Sequence, residues 1–459
     1  MNTKQTLSGR LAEFAVAQSC ASIPAPVRER AKLLMLDAIG DAFAASQFGF
    51  ARTAFSALGS FGSGNSVVIG MDGRLALRDA VVMNGILVHG LDYDDTYLPG
   101  SVHLTASCVP TALGVGAELQ ATGPELLTAC VLGVEVAARL AGAAKGGFVK
   151  SGFHATSIAG TFGCALLAGR LMKLDASQLA MAQGIALSMT SGNLQPIQEG
   201  SWTKRMHPGW AGASGVTAAA FARSGYIGPS EAYEGRFGLF PCFLGAHSGS
   251  ADLALVTEGL GEQWEFGRTS VKLFPACHQL HAFLNAAIHL SREHAIDAAN
   301  VESVRALVAE AAVPLICEPS DAKLRPVSSY AAQFSLPYAL ACGLLRGRFG
   351  LQEIDASSYS DPQLLQLAGK VRYEVDPNSG FPKYRSGEVI VTLKDGRVVS
   401  KRENILPDEP ATAEQITRKF MQNTAERMSP ERAGTIADAV MNLEKVGNAQ
   451  AISQLLAAK

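Results

Sequence analysis

The segment His89-Gly-Leu-Asp92-Tyr-Asp94-Asp95-Thr96-Tyr-Leu-Pro-Gly-Ser-Val-His103 crowds three carboxylates into four positions and sets a histidine at each end. Carboxylates this close repel one another, so at least one should have a raised pKa or a cationic partner. Imidazoles beside them supply an acid or base near neutral pH. In isolation an Asp-rich stretch after a helix reads as a solvated acidic loop. The flanking histidines and the apolar helices on both sides point instead to proton transfer.

Three further segments carry reactive types. His154 lies in Gly152-Phe-His-Ala-Thr156, before a small-residue helix and after Lys145 and Lys150, where a helix N-terminus favours an anion. A capping or surface histidine is the alternative. Gly200-Ser-Trp-Thr-Lys204-Arg205-Met-His207-Pro-Gly209 is a cationic loop. Lys204, Arg205 and His207 could hold carboxylates, unless the loop is only a basic surface. Lys272-Leu-Phe-Pro275-Ala-Cys277-His278-Gln-Leu-His281 offers a lysine expected to face an interdomain cleft. Its cysteine and histidines lack a second cluster with metal-ligand spacing, so no metal is expected. Tyr338, in a later helix, is either a hydrogen-bond donor to a ligand or a core tyrosine. No phosphate loop, dinucleotide fingerprint, HExxH or GxSxG is present. The chemistry is therefore expected to run on side chains, without a cofactor.

These groups need a scaffold, and the first half of the chain reads as successive helices. Apolar residues recur at helical spacing over Val27–Phe43, Leu75–Leu91, Thr105–Leu119, Pro124–Gly142, Ser157–Met172 and Ala176–Met189. Asp175 or Ser177 could cap the last. Abundant Ala and Gly predict close helix packing. Leu126–Ala144 is apolar, but Glu135 and Arg139 interrupt it at i,i+4, so a buried paired helix is expected rather than a membrane span. After about Gly267, Val301–Ala312 and Val371–Val375 read as strands, and Glu388–Val399 as a hairpin turning at Asp395-Gly396. Phe334–Leu345 reads as helix, and helices return from about Ala411. The expected organisation is mainly α: a large all-helical domain (1–266), an inserted smaller α+β lid domain (267–408), and C-terminal helices returning to the first domain (409–459).

With 48% hydrophobic and 17% charged residues in a chain of 459, large cores and a buried subunit interface are expected, and disorder is excluded. A net charge of −2 gives no field for nucleic acid or an anionic membrane, so neither is an expected partner. The polar start and eight scattered cysteines without a CxxC pair suggest free thiols in the cytoplasm.

Gly64-Asn-Ser-Val-Val-Ile-Gly70 followed by Asn84-Gly-Ile-Leu-Val-His89-Gly-Leu-Asp92-Tyr-Asp94-Asp95-Thr96 resembles the hallmark of the MmgE/PrpD family. Gly152-Phe-His154, Thr203-Lys204, Lys272 with Phe274-Pro275, and Phe334-Ser335 occur in the family's order, so the resemblance covers nearly the whole chain. The family includes 2-methylcitrate dehydratase, cis-aconitate decarboxylase and iminodisuccinate epimerase. The resemblance implies a helical domain, an α+β lid, a homodimer, no metal, and a small polycarboxylate substrate. Carried over from the decarboxylase pattern, Asp92, Thr96, His103, His154, Lys204 and Lys272 match pocket positions, with Tyr338 the choice for a pocket tyrosine. The family's dehydratases read DFND with a longer acidic insertion before the equivalent of His103. This chain has the shorter DYDDTYLPGSVH, closer to the decarboxylase and epimerase type, and Gln333 where Lys or Arg often precedes the Phe-Ser pair. The implied function is a cofactor-independent lyase, dehydratase or decarboxylase, acting by proton transfer next to a carboxylate. His103, His154, Asp92 and Lys272 would be catalytic, and Thr96, Lys204, His207 and Tyr338 would bind substrate. An epimerase of an iminodisuccinate-like dicarboxylate and a non-catalytic polycarboxylate-binding protein are the alternatives.

Overall fold

A computed structural model describes residues 6–294, 296–381, 383–406 and 409–458. Met1–Gln5, the first half of the polar start, and position 408, the expected lid boundary, lie outside the described residues. Contacts divide the chain into two compact units. The first holds Met1–Gly90, Asp94–Val271 and Pro410–Lys459, and the second Leu91–Tyr93 and Lys272–Glu409.

Among the described residues the first unit is helical apart from a two-stranded ladder of β1 (Ser66–Val67) and β2 (Arg74–Leu75). Its helices include Leu7–Ala17, Ala25–Ala45, Gly49–Gly59, Leu77–His89, Thr105–Glu118, Gly123–Ala143, Ala155–Leu171, Ala176–Leu187 and His207–Arg223, with Ala413–Thr424, Pro430–Met441 and Ala449–Leu455 from the C-terminus. Local signals set the ends. Asp175, not Ser177, caps Ala176–Leu187 in a capping box with Gln178. Thr122 and Glu125 cap Gly123–Ala143 in the same way.

Gly123–Ala143 is long and apolar enough to cross a membrane, but it is fully buried within the protein. Glu135 and Arg139 form the i,i+4 pair at 2.6 Å. Arg139 also donates to the carbonyls of Leu255, Glu258, Gly259 and Gln263, and Glu135 accepts the backbone N–H groups of Glu265 and Phe266. A buried pair loses hydration, so these extra hydrogen bonds are what make it tolerable.

Close helix contacts depend on glycine. A Cβ on Gly85 would lie 2.4 Å from the Gly209 Cα, and one on Gly209 would lie 2.2 Å from the Val82 carbonyl oxygen. The Leu77–His89 and His207–Arg223 helices thus meet backbone to backbone.

The second unit carries a four-stranded sheet in the order β4-β3-β5-β6, from β3 (Val301–Val308), β4 (Val371–Val375), β5 (Arg385–Leu393) and β6 (Val398–Ile405). β3 runs parallel to β4 and antiparallel to β5, and β5 and β6 form the hairpin turning at Asp395-Gly396, where Gly396 has φ +87°. Val389, Val391 and Leu393 alternate into the core. The His281–His294 helix covers this face, and the bare backbone of Gly387 makes room for Phe283. The chain is thus mainly α with a smaller α+β unit, as the periodicities predict. All eight cysteines are free, and only Cys242 is exposed.

Candidate functional site

In the first unit four histidines and one lysine converge. His89 ends the Leu77–His89 helix, and His207 and Lys204 lie beside it because the Gly85–Gly209 contact brings the two helices together. His154 stands at the N-cap of Ala155–Leu171, its N–H donating to the Gly192 carbonyl at 3.1 Å. His103 closes a tight turn. Tyr97 and Val102 pair backbone to backbone, Leu98–Gly100 forms a 3-10 turn, and Ser101 has φ +52°. Gly100 presses on Ala141, where a Cβ would approach to 2.4 Å. The ring centroids of His89 lie 4.8 Å from His103 and 5.4 Å from His154, and those of His154 and His207 are 5.2 Å apart.

Hydrogen bonding assigns the protons. Lys204 Nζ lies 2.9 Å from His89 Nε2, and an ammonium can only donate. The His89 lone pair is therefore on Nε2, and Nδ1–H donates to Asp94 Oδ2 at 2.8 Å. His103 Nδ1–H donates to the Asp95 carbonyl at 2.7 Å, which leaves its lone pair on Nε2. His154 and His207 share a contact between their Nδ1 atoms at 3.1 Å. Burial, reinforced by the Lys204 ammonium, holds His154 well below the ordinary range and His207 down at about 4. Both are neutral imidazoles at pH 7.

The carboxylates divide their work. Asp94 braces His89 and lies 3.5 Å from His103 Nδ1. Asp95 is fully buried and accepts from the Leu104 and Thr105 N–H groups at 3.0 Å and from the Thr105 hydroxyl, so it caps the Thr105–Glu118 helix from ten residues upstream. Burial and the neighbouring Asp94 push its carboxyl up to about 7. Thr96 pairs with Ser270 through its backbone, and its buried hydroxyl has no hydrogen-bond partner among the described residues. Arg205 donates to the Gly90 carbonyl at 2.7 Å and stacks over Phe50 at 4.5 Å. Lys145 and Lys150 are exposed.

Asp92 belongs to the second unit, where Lys272 Nζ donates to its carbonyl at 2.6 Å and its carboxylate at 2.9 Å. Asp92 has φ +50°, a strained conformation for a side-chain-bearing residue. Gln333 donates to the Leu91 and Pro275 carbonyls and so fixes both strands of this contact. Tyr338 is fully buried, and its hydroxyl donates to the Glu353 carbonyl at 2.6 Å, a core hydrogen bond.

The structure therefore groups His103, His154, Lys204 and His207 in one unit and Asp92 with Lys272 in the other. Sequence reasoning placed His89 and Asp94 in the reactive segment but assigned neither to the catalytic or substrate-binding set. The signal available was their spacing, a helix-terminal histidine five residues before a carboxylate. Nitrogens of His89, His103 and His154 lie within 4.8 Å of one another, the spacing of a metal site. Both nitrogens of His89 are engaged, however, and a lysine ammonium on one of them would repel a cation.

A family model of the MmgE/PrpD N-terminal domain matches residues 9–250, and one of the C-terminal domain matches residues 274–445. The chain is 26% identical over 449 residues to cis-aconitate decarboxylase of Homo sapiens, covering 94% of this chain and 90% of the relative. It is 25% identical over 484 residues to cis-aconitate decarboxylase of Aspergillus terreus, covering 99% and 96%. It is also 25% identical over 461 residues to cis-aconitate decarboxylase-like protein oryM of Aspergillus oryzae, covering 95% and 94%.

Proposed function

The chain belongs to the MmgE/PrpD family, and on that premise we propose that it is a cofactor-independent lyase of a small di- or tricarboxylate, with decarboxylation of a cis-aconitate-like acid as its leading reaction. The observation that carries this reading is the buried Lys204–His89–Asp94 chain beside the lone-pair nitrogen of His103. The relatives of that activity, similar along nearly their whole length, support the choice of reaction.

Loss of carbon dioxide breaks a carbon–carbon bond and leaves its electron pair on carbon, spread into the neighbouring carboxylate. A fixed cation in a dry site stabilises that charge as it develops. Lys204 takes this role in the first unit, with its ammonium oriented by His89 and His89 by Asp94. Lys272, held by Asp92, is assigned the same electrostatic role in the second. His103 and His154 serve as the acid/base pair, one delivering a proton to the carbon on which the displaced electron pair comes to rest. Thr96 and His207 are assigned to substrate binding. Tyr338, already bonded within the core, is a support for the second unit rather than a ligand contact. The unpaired cysteines support a reducing compartment, the cytoplasm.

Two imidazoles flanking one site also suit an epimerase, which needs acid and base on opposite faces of one carbon. Proton NMR in deuterium oxide with citrate, 2-methylcitrate, cis-aconitate and iminodisuccinate separates these outcomes. Decarboxylation gives a new product, and epimerisation gives solvent exchange without net elimination. Binding with neither leaves a non-catalytic binder.

A further inference from the structure

Among the described residues the buried lysines and arginines are Lys32, Arg139, Lys204, Arg205, Lys272, Lys419 and Arg385. Six have identified partners: Lys32 has Glu444, Arg139 Glu135, Lys204 His89, Arg205 the Gly90 carbonyl, Lys272 Asp92, and Lys419 both Asp37 and Asp41. Arg385 is the exception. It opens β5, is 6% exposed, and its Nη1 is buried without a hydrogen-bond partner. Asp376, which follows β4, and Glu388 of β5 are both taken by Arg402, at 2.7 and 2.6 Å.

A guanidinium does not shed its proton at neutral pH to escape burial. Burial lowers Arg385 only to about 10. Its electrostatic neighbour is Cys277, a thiol that burial pushes up and so keeps uncharged. Cys277 also feels Lys272 with Asp92, and Lys323 feels Cys277 in turn. Lys272 is already paired with Asp92, and among the described residues no carboxylate forms an ion pair with Arg385. A buried charge with no counter-charge is destabilising, and a ligand anion is the group that would offset it.

We propose that Arg385 is an anion-anchoring residue of the second unit, gripping one carboxylate through the two-pronged edge of its guanidinium. That the occupant is a carboxylate of the substrate rests on the reading under Proposed function. That the site takes an anion does not. Arg385 binds and orients, and the proton transfers are left to other groups.

The test compares the full chain with Arg385→Met and Arg385→Lys by thermal shift, calorimetry and steady-state kinetics, using cis-aconitate, citrate, acetate and inorganic sulfate. Without ligand, Arg385→Met should melt at a higher temperature than the parent, because an unpaired buried charge is gone. It should bind cis-aconitate at least about tenfold more weakly, the loss falling on KM more than on kcat. Arg385→Lys keeps the charge without the fork and should bind with intermediate strength. Equal cis-aconitate binding by parent and Arg385→Met, or a lowered melting temperature with binding intact, overturns the Arg385 assignment and leaves the lyase reading standing. Sulfate binding lost in Arg385→Met, with no carboxylate binding by the parent, keeps the anion site and overturns the carboxylate reading. No anion binding by the parent overturns both.

Discussion

At the scale of single residues, the account turns on who holds which proton. His103 carries its lone pair on Nε2 because the Asp95 carbonyl takes Nδ1–H. Replacing it with alanine should cut turnover by about 10²–10⁴-fold, read by steady-state kinetics on the accepted substrate. His207 bears on stability. Its folded pKa, about 4, lies below the ordinary 6.5, so its contribution is present above pH 6.5 and lost as pH falls through 4. His207→Gln should therefore flatten the fall in unfolding free energy between those two pH values, measured by urea denaturation. Asp95 acts with the opposite sign, since its raised pKa gives stability present below 3.8 and lost as pH rises through about 7. The sequence made the reactive types legible but not their division of labour. Three crowded carboxylates predict perturbation, yet spacing does not say that Asp95 caps a helix ten residues on, that Asp94 braces His89, or that Asp92 goes to Lys272. Those assignments depend on contacts with residues distant in sequence, such as Lys272, and on the left-handed backbone at Asp92.

At the scale of elements, two contacts hold the histidine cluster's frame. Gly209→Ala places a Cβ where the Val82 carbonyl oxygen stands, so the two helices must part. A loss of about 1–3 kcal/mol in urea denaturation is expected, with reduced activity because Lys204 moves from His89. Glu135→Ala leaves Arg139 buried without its counter-charge and should cost about 3–5 kcal/mol by the same measurement. The Glu135–Arg139 pair was readable from its i,i+4 spacing in an apolar run, as were the long helices and the β5–β6 hairpin with its Asp-Gly turn. The helix Gly49–Gly59 was not, because only Phe50 and Ala51 are buried along it and so it carries no core-facing apolar period. The sheet order was also beyond the sequence. β3 and β4 are parallel partners separated by more than sixty residues of helices and turns, and local pattern carries no information about such a crossover.

At the scale of the whole molecule, the exposed Phe221, Tyr226 and Ile227 form an apolar surface at the end of the His207–Arg223 helix, with Ile227 83% exposed. For the homodimer that the family resemblance implies, we propose this surface as the interface. On that proposal the parent sediments as a dimer and Ile227→Asp as a monomer, and an unchanged value would remove this surface from the interface. The proposed reaction breaks a carbon–carbon bond of a small polycarboxylate, with proton transfer at the histidine cluster. The most direct measurement is proton NMR of cis-aconitate in deuterium oxide, with the parent chain and with His103→Ala. Expected are loss of substrate with carbon dioxide release, one solvent deuterium bound to carbon in the decarboxylated product, and near-absence of both in the variant. Product formed at the parent rate by His103→Ala, or solvent exchange by the parent without carbon dioxide release, would contradict it.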